Sequence, residues 1–205
     1  MNFELGEDWF KNKKLLSKVL NSKFDKTKPL TFAEVGSWKG RSAIWFIENF
    51  LRAPGSVLYC IDTWNMNDWN DFNQEKQLLQ SNPQRAKELK VDEIYDQFIF
   101  NITHKGMKDK VVTIRNKSAA ALNSLDNEFL DFIYIDGDHS EKGCYDDLAA
   151  TWPKVKKGGI LFGDDWKWKH KGIYPVQDAV HRFSKENNIK VLPVFFHGNG
   201  YYFIK

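Results

Sequence analysis

The chain has 205 residues, 42% hydrophobic and 28% charged, with a net charge of +3. This suits one core-forming domain over 1–205. It offers no run near the ~20 apolar residues of a membrane span, and its weak positive charge is no argument for a nucleic-acid partner. Residues 1–7 carry acid where a secretion signal carries base, which predicts a cytoplasmic protein.

Residues 1–29 read as a helical lead-in, with Leu15, Leu16, Val19 and Leu20 at helical spacing and Pro29 as its stop. A strand over 30–35 follows, then a turn at 36–40, a helix over 42–51 and a second strand over 57–61 that ends in Asp62. Residues 63–92 are rich in Asn, Gln and Lys and too long for an ordinary loop, so they read as a lid or insertion. Next come a helix over 92–104, a strand over 110–114 and a short helix over 119–125. A fourth strand at 130–135 precedes a helix over 141–152, whose Tyr145, Leu148, Ala149 and Trp152 share one face. A fifth strand at 159–162 leads to a basic-aromatic loop and a helix from about Pro175. Runs at 191–196 and 201–204 close the chain as an antiparallel hairpin. Strand and helix alternate five times, which specifies an α/β doubly wound sheet. Cys60 and Cys144 lack metal-ligand spacing and read as buried free thiols.

Two apolar runs end in acid: Ile135-Asp136-Gly137-Asp138-His139, and Phe162-Gly163-Asp164-Asp165-Trp166. Buried parallel strands deliver their carboxyl ends to one crevice, so four aspartates should meet at one rim. Clustered carboxylates repel unless a cation or shared protons hold them, which points to a hard metal ion.

The first turn, Glu34-Val-Gly36-Ser37-Trp-Lys-Gly40-Arg-Ser42, has neither the dinucleotide fingerprint nor a Gly-Lys-Ser/Thr phosphate loop. A carboxylate at this strand end would repel pyrophosphate but suit a cationic ligand such as S-adenosylmethionine. Asp62, ending the second strand, can accept both hydroxyls of a ribose.

These motifs resemble the class I S-adenosylmethionine-dependent methyltransferases. Within them the chain is similar to a small family carrying Glu-x-Gly-x-x-x-Gly-x-Ser and Ile-Asp-Gly-Asp-His, here at 34–42 and 135–139. The stretches at 98–101, 110–118 and 152–159 also fit, so the likeness covers about 30–166. It implies a Rossmann-like, seven-stranded, mostly parallel sheet with an antiparallel C-terminal hairpin. It further implies a cofactor pocket formed by Glu34, Gly36, Ser37, Gly40, Ser42, Asp62, Trp64, Ser118 and Asp136. By position in metal-dependent sugar and catechol O-methyltransferases, the Mg²⁺ ligands would be Asp136, Asp164 and Asp165. Asp138 is the first choice of general base and His139 the second.

Trp64, Trp69 and Phe72, together with Trp166-Lys167-Trp168-Lys169-His170, would overhang the crevice and suit a sugar bearing phosphate or carboxylate. The expected activity is O-methylation of a hydroxylated small molecule, a sugar or diol. The alternatives are a metal-independent O- or N-methyltransferase, or a non-catalytic cofactor- or nucleic-acid-binding module. Membrane is not an expected partner, and assembly with further copies of the chain stays open.

Overall fold

A computed structural model describes residues 1–6, 8–65, 93–194 and 199–205. Most of the expected insertion at 63–92 therefore lies outside the described residues, as do Trp69 and Phe72.

Among the described residues, seven strands form one sheet: β1 (Thr31–Val35), β2 (Val57–Asp62), β3 (Val111–Arg115), β4 (Leu130–Ile135), β5 (Val155–Gly163), β6 (Leu192–Val194) and β7 (Gly200–Ile204). Their order is β3-β2-β1-β4-β5-β7-β6. The first five are parallel, while β7 runs antiparallel to both β5 and β6. This is the expected doubly wound sheet with its antiparallel end. The order reverses between β1 and β4, which is where such sheets open a ligand crevice.

The described helices are α1 (Lys13–Asn21), α2 (Arg41–Asn49), α3 (Glu93–His104), α4 (Ser118–Asn123), α5 (Glu141–Thr151) and α6 (Pro175–Glu186). None is long and apolar enough to cross a membrane. Strand alternation sends side chains to two layers. Phe32, Phe132, Tyr134 and Phe162 pack on one face with Phe10, Leu16, Phe46 and Phe98. On the other, Val35, Ile133, Ile135 and Leu161 meet Leu122, Leu148, Val180 and Phe183. Cys60 and Cys144 are free and buried.

Two elements differ from the sequence reading. The lead-in is helical only at Lys13–Asn21. The residues before it carry no helical pattern and are held by side chains of the body instead. Asn101 Nδ2 donates to Glu4 O at 2.7 Å, and Arg41 donates to Gly6 O at 2.6 Å. Phe10 is buried among Trp45, Phe46 and Tyr134. Strand β5 begins at Val155 rather than 159, because Val155 already pairs with Leu130 across an irregularity in register.

Candidate active site

The carboxyl ends of four strands are joined by backbone hydrogen bonds. Gly36 N–H donates to Ile61 O, Asp136 N–H to Val35 O, and Asp164 N–H to Ile135 O, each at 2.9 Å. Gly36 has φ +84°, and a Cβ there would lie 1.9 Å from Asp136 O. Only glycine lets the first turn pass this close to the end of β4.

Those strand ends floor a cavity of about 680 Å³, a size typical of small-ligand sites. Gly36, Asp62, Ser118, Asp136, Asp138, His139, Asp164 and Asp165 all line it. Glu34, Ser37, Gly40, Ser42 and Trp64 do not. The alternation of β1 turns Glu34 to the same side as Phe32, beneath the turn, where it is fully buried. Burial raises its carboxyl to about 7, opposed by the side chains of Ser37, Ser42 and Cys60. Trp64 is 2% exposed, packs on Tyr95 and Phe98, and donates Nε1–H to Trp38 O at 2.8 Å. It is part of the core rather than an overhanging platform.

Asp62 ties the first two loops together. Its Oδ2 accepts Trp38 N–H at 2.9 Å and its Oδ1 accepts Trp64 N–H at 2.8 Å. These bonds steady Trp38 and Trp64 at φ +47° and +44°, a left-handed conformation that bulky residues seldom adopt.

Beyond β4 and β5 the acids meet. Asp136, His139 and Asp165 bring ligand atoms within 4.8 Å of one another. His139 Nε2 is 2.8 Å from Asp165 Oδ2 and 3.7 Å from Asp136 Oδ1. Burial would lower the imidazole pKa, but Asp165 and Asp136 overturn it and hold the ring near 10. The imidazolium is thus the positive partner of two carboxylates. Among the described residues neither buried ring nitrogen of His139 has a hydrogen-bond partner, so Nε2 meets the carboxylates as an ion pair, and the ring leans on Trp168 at 5.1 Å between centroids.

Asp164 was expected beside Asp136 and Asp165 in a metal triad, but His139 takes the third place in the observed cluster. Both Asp164 oxygens are engaged: Oδ1 accepts Asn12 Nδ2–H at 2.6 Å and Asp165 N–H at 2.7 Å, and Oδ2 accepts the Tyr134 hydroxyl. Burial, then Asp136 and Asp165, push the Asp164 carboxyl well above the usual range. Donors present in the chain fit a divalent cation here, because paired carboxylates converge with an imidazole nitrogen that becomes a ligand once it gives up its proton to an incoming ion.

Asp138 is exposed at the rim, its Oδ1 accepting Ser140 N–H at 2.8 Å. Ser140, not Asp138, caps α5, accepting Gly143 N–H at 3.0 Å. A Cβ on Gly143 would come within 2.2 Å of the Asp138 carboxylate, so this glycine makes room for it.

The walls include residues the sequence did not flag. Trp9 and Lys11 come from the N-terminal segment, Asn199 from just before β7, and Asp146 and Asp147 from α5. Asn12, wholly buried, is the clasp: besides Asp164 it holds Asn199 N–H on its Oδ1 at 2.8 Å. The aperiodic first dozen residues gave no signal for this. Asp147 gave one, an acid in a row with Cys144, Leu148 and Thr151 on the buried side of α5. Of the basic-aromatic loop, Lys167 and Trp168 line the cavity, whereas Trp166 is buried against His181 and Tyr201.

The sequence profile of a family described as "Methyltransferase domain" matches residues 33–166. No functionally curated protein matches the chain. Among solved structures, the O-methyltransferase NovP superposes with a TM-score of 0.69 at 19% identity, covering 95% of this chain and 79% of that one. A Staphylococcus aureus protein assigned as a caffeoyl-CoA O-methyltransferase gives 0.64 at 11% identity, covering 98% and 84%. An S-adenosylmethionine-dependent methyltransferase from Aquifex aeolicus gives 0.56 at 14%, covering 96% and 92%. At these identities the likeness is one of fold.

Proposed function

The chain belongs to the methyltransferase-domain family and is an S-adenosylmethionine-dependent methyltransferase; from that premise we propose that it methylates an oxygen of a hydroxylated small molecule, a sugar or other diol. One observation carries the reading: Asp136, His139 and Asp165 converge beside Asp138, in the same cavity as Gly36, Asp62 and Ser118. When bound, the cofactor supplies an electrophilic methyl group, and a divalent cation such as Mg²⁺ supplies Lewis acidity toward acceptor oxygens.

The protein's own groups do the rest. Gly36 admits the cofactor backbone, Asp62 accepts its ribose hydroxyls, and Ser118 faces its base. Asp136 and Asp165 would hold the cation. The third donor is His139 Nε2 in the observed cluster and Asp164 in the sequence reading. Loss of cation affinity in His139→Ala or in Asp164→Asn distinguishes the two.

Asp138 takes the acceptor hydroxyl proton on a carboxylate oxygen. His139 is committed to the acid cluster, either as its positive partner or as a ligand, which leaves Asp138 as the base. Trp9 and Trp168 offer flat apolar faces to a ring, and Lys11 and Lys167 favour an acceptor bearing carboxylate or phosphate. A metal-independent version draws support from the His139 imidazolium, which already lies beside both carboxylates as their counter-charge.

The test is turnover of uronic acids, sugar phosphates and catechols with S-adenosylmethionine, with and without chelator. Asp138→Asn should lower turnover ~100-fold or more while S-adenosylhomocysteine still binds. Full activity in chelator selects the metal-independent version, and full activity of Asp138→Asn removes the assigned base.

A further inference from the structure

We infer that Asn199 is a positioning residue for the cation site, its side-chain amide fixing which oxygen of Asp165 is offered to the ion; this rests on the cation-dependent methyltransferase reading above. Asn199 stands just before β7 and lines the cavity. The β5–β7 pairing runs to Gly163 opposite Tyr201. Past that pair the chain turns through Asp165 at φ +59°, a left-handed conformation uncommon outside glycine. Asn199 faces this turn and brackets it. Its carbonyl accepts Trp166 N–H at 2.8 Å, its Oδ1 accepts Lys167 N–H at 2.5 Å, and its Nδ2–H donates to Asp165 Oδ1 at 3.2 Å. Its own backbone N–H donates to Asn12 Oδ1 at 2.8 Å.

These contacts fix the orientation of the amide. A backbone N–H can only donate, so the atom that meets Lys167 is the oxygen and the atom that meets Asp165 is the nitrogen. The two oxygens of Asp165 are thereby divided. Oδ1 goes to Asn199, while Oδ2 lies 2.8 Å from His139 Nε2, in the cluster with Asp136. The carboxylate cannot rotate to exchange them without losing the amide bond. Outer partners of this kind hold ligating carboxylates in the orientation an ion needs.

The residue type suits the task. Asparagine carries one acceptor and one donor group on a short stem, and here both are used. An aspartate would set a second carboxylate against Asp165, and a lysine would bring a positive charge to compete with the ion. The amide holds the acid without adding charge. The turn itself has other supports: Gln177, on α6, donates Nε2–H to Trp166 O at 2.7 Å, and Trp168 N–H donates to Asp165 O at 2.9 Å. The donation into the acid cluster is therefore the one contact of the bracket that holds a side chain rather than the backbone. The same amide also anchors the start of the Lys167–Trp168 wall, so one side chain sets the cation ligand and the neighbouring cavity surface together.

Calorimetric titration of the full chain with Mg²⁺ alone, beside titration with S-adenosylhomocysteine, tests this. Asn199→Ala keeps both backbone bonds of residue 199 but frees Asp165 to turn, so its Mg²⁺ dissociation constant should rise about tenfold or more. Its affinity for S-adenosylhomocysteine should be unchanged, because β7 lies beyond β5 from the ends of β1 and β2 that carry Gly36 and Asp62. Gln177→Ala is the control. It loosens the same turn through Trp166 without touching Asp165, and should leave Mg²⁺ affinity as it was. Asn199→Ser, whose hydroxyl is too short to span Lys167 and Asp165 together, should match Asn199→Ala and serves if that variant does not fold. Unaltered Mg²⁺ affinity in the folded Asn199 variants, or an equal loss in Gln177→Ala, overturns the assignment alone. A wild type that binds S-adenosylhomocysteine but not Mg²⁺ overturns the cation-dependent reading and the assignment with it.

Discussion

Asn12 donates its amide N–H to Asp164 Oδ1 at 2.6 Å, across 152 residues of chain, and so locks the N-terminal segment onto the end of β5. The same side chain accepts Asn199 N–H at 2.8 Å, so one buried amide ties both ends of the chain to the cavity rim. Its removal takes one of two donors from Asp164 Oδ1 and leaves the Asn199 N–H without its acceptor. Asn12→Ala should therefore destabilise the protein by ~1–3 kcal/mol in denaturant unfolding. Asp8→Asn, which breaks the exposed pair with Lys13 at 2.9 Å, should cost under ~1 kcal/mol. Equal losses would show that Asn12 is not a clasp.

Gly36→Ala should be among the most damaging single changes. The new methyl would meet Asp136 O at 1.9 Å, and φ +84° strains any L-residue. A loss of at least ~2 kcal/mol is expected, together with weakened S-adenosylhomocysteine binding because the first turn must lift from the end of β4. An alanine variant with wild-type stability and affinity would contradict this packing.

The free protein should lose stability as pH rises from 4.5 to about 7, through Glu34. Within that window the folded protein keeps a proton that the unfolded chain releases. The stabilisation is complete below 4.5 and gone above about 7, and the difference is ~3 kcal/mol. Asp147, also raised to about 7 by burial, acts in the same direction. Unfolding free energies at pH 5 and pH 8 should therefore differ more in the wild type than in Glu34→Gln. Equal slopes would mean that Glu34 titrates normally.

Mg²⁺ should raise the melting temperature through mass action on the Asp136–His139–Asp165 cluster. The rise should be lost in Asp136→Asn and in Asp165→Asn. It should also weaken toward low pH, where a cation must compete with protons for the same carboxylates. A melting temperature indifferent to Mg²⁺ in the wild type would favour the imidazolium as the permanent partner of these acids.

The sheet was legible because its signals are local. Apolar runs such as 130–135 can only be buried strands in a chain that alternates them with amphipathic helices. Their ends, at Asp62, Asp136 and Asp164, follow from parallel packing alone. The N-terminal segment was not legible, because Asn12 owes its place to partners more than a hundred residues away and leaves no periodicity.

The sequence by itself determined the strand order of events along the chain and the gathering of acids at one rim, since side-chain period and hydrophobic runs dictate both. Only the tertiary structure decided which acids share a charge. It turned Glu34 under the first turn, gave Asp164 to Asn12 and Tyr134, and placed His139 between Asp136 and Asp165. Carboxylates look alike in a sequence. Burial and the nearest donor separate them, and those are properties of three-dimensional neighbours.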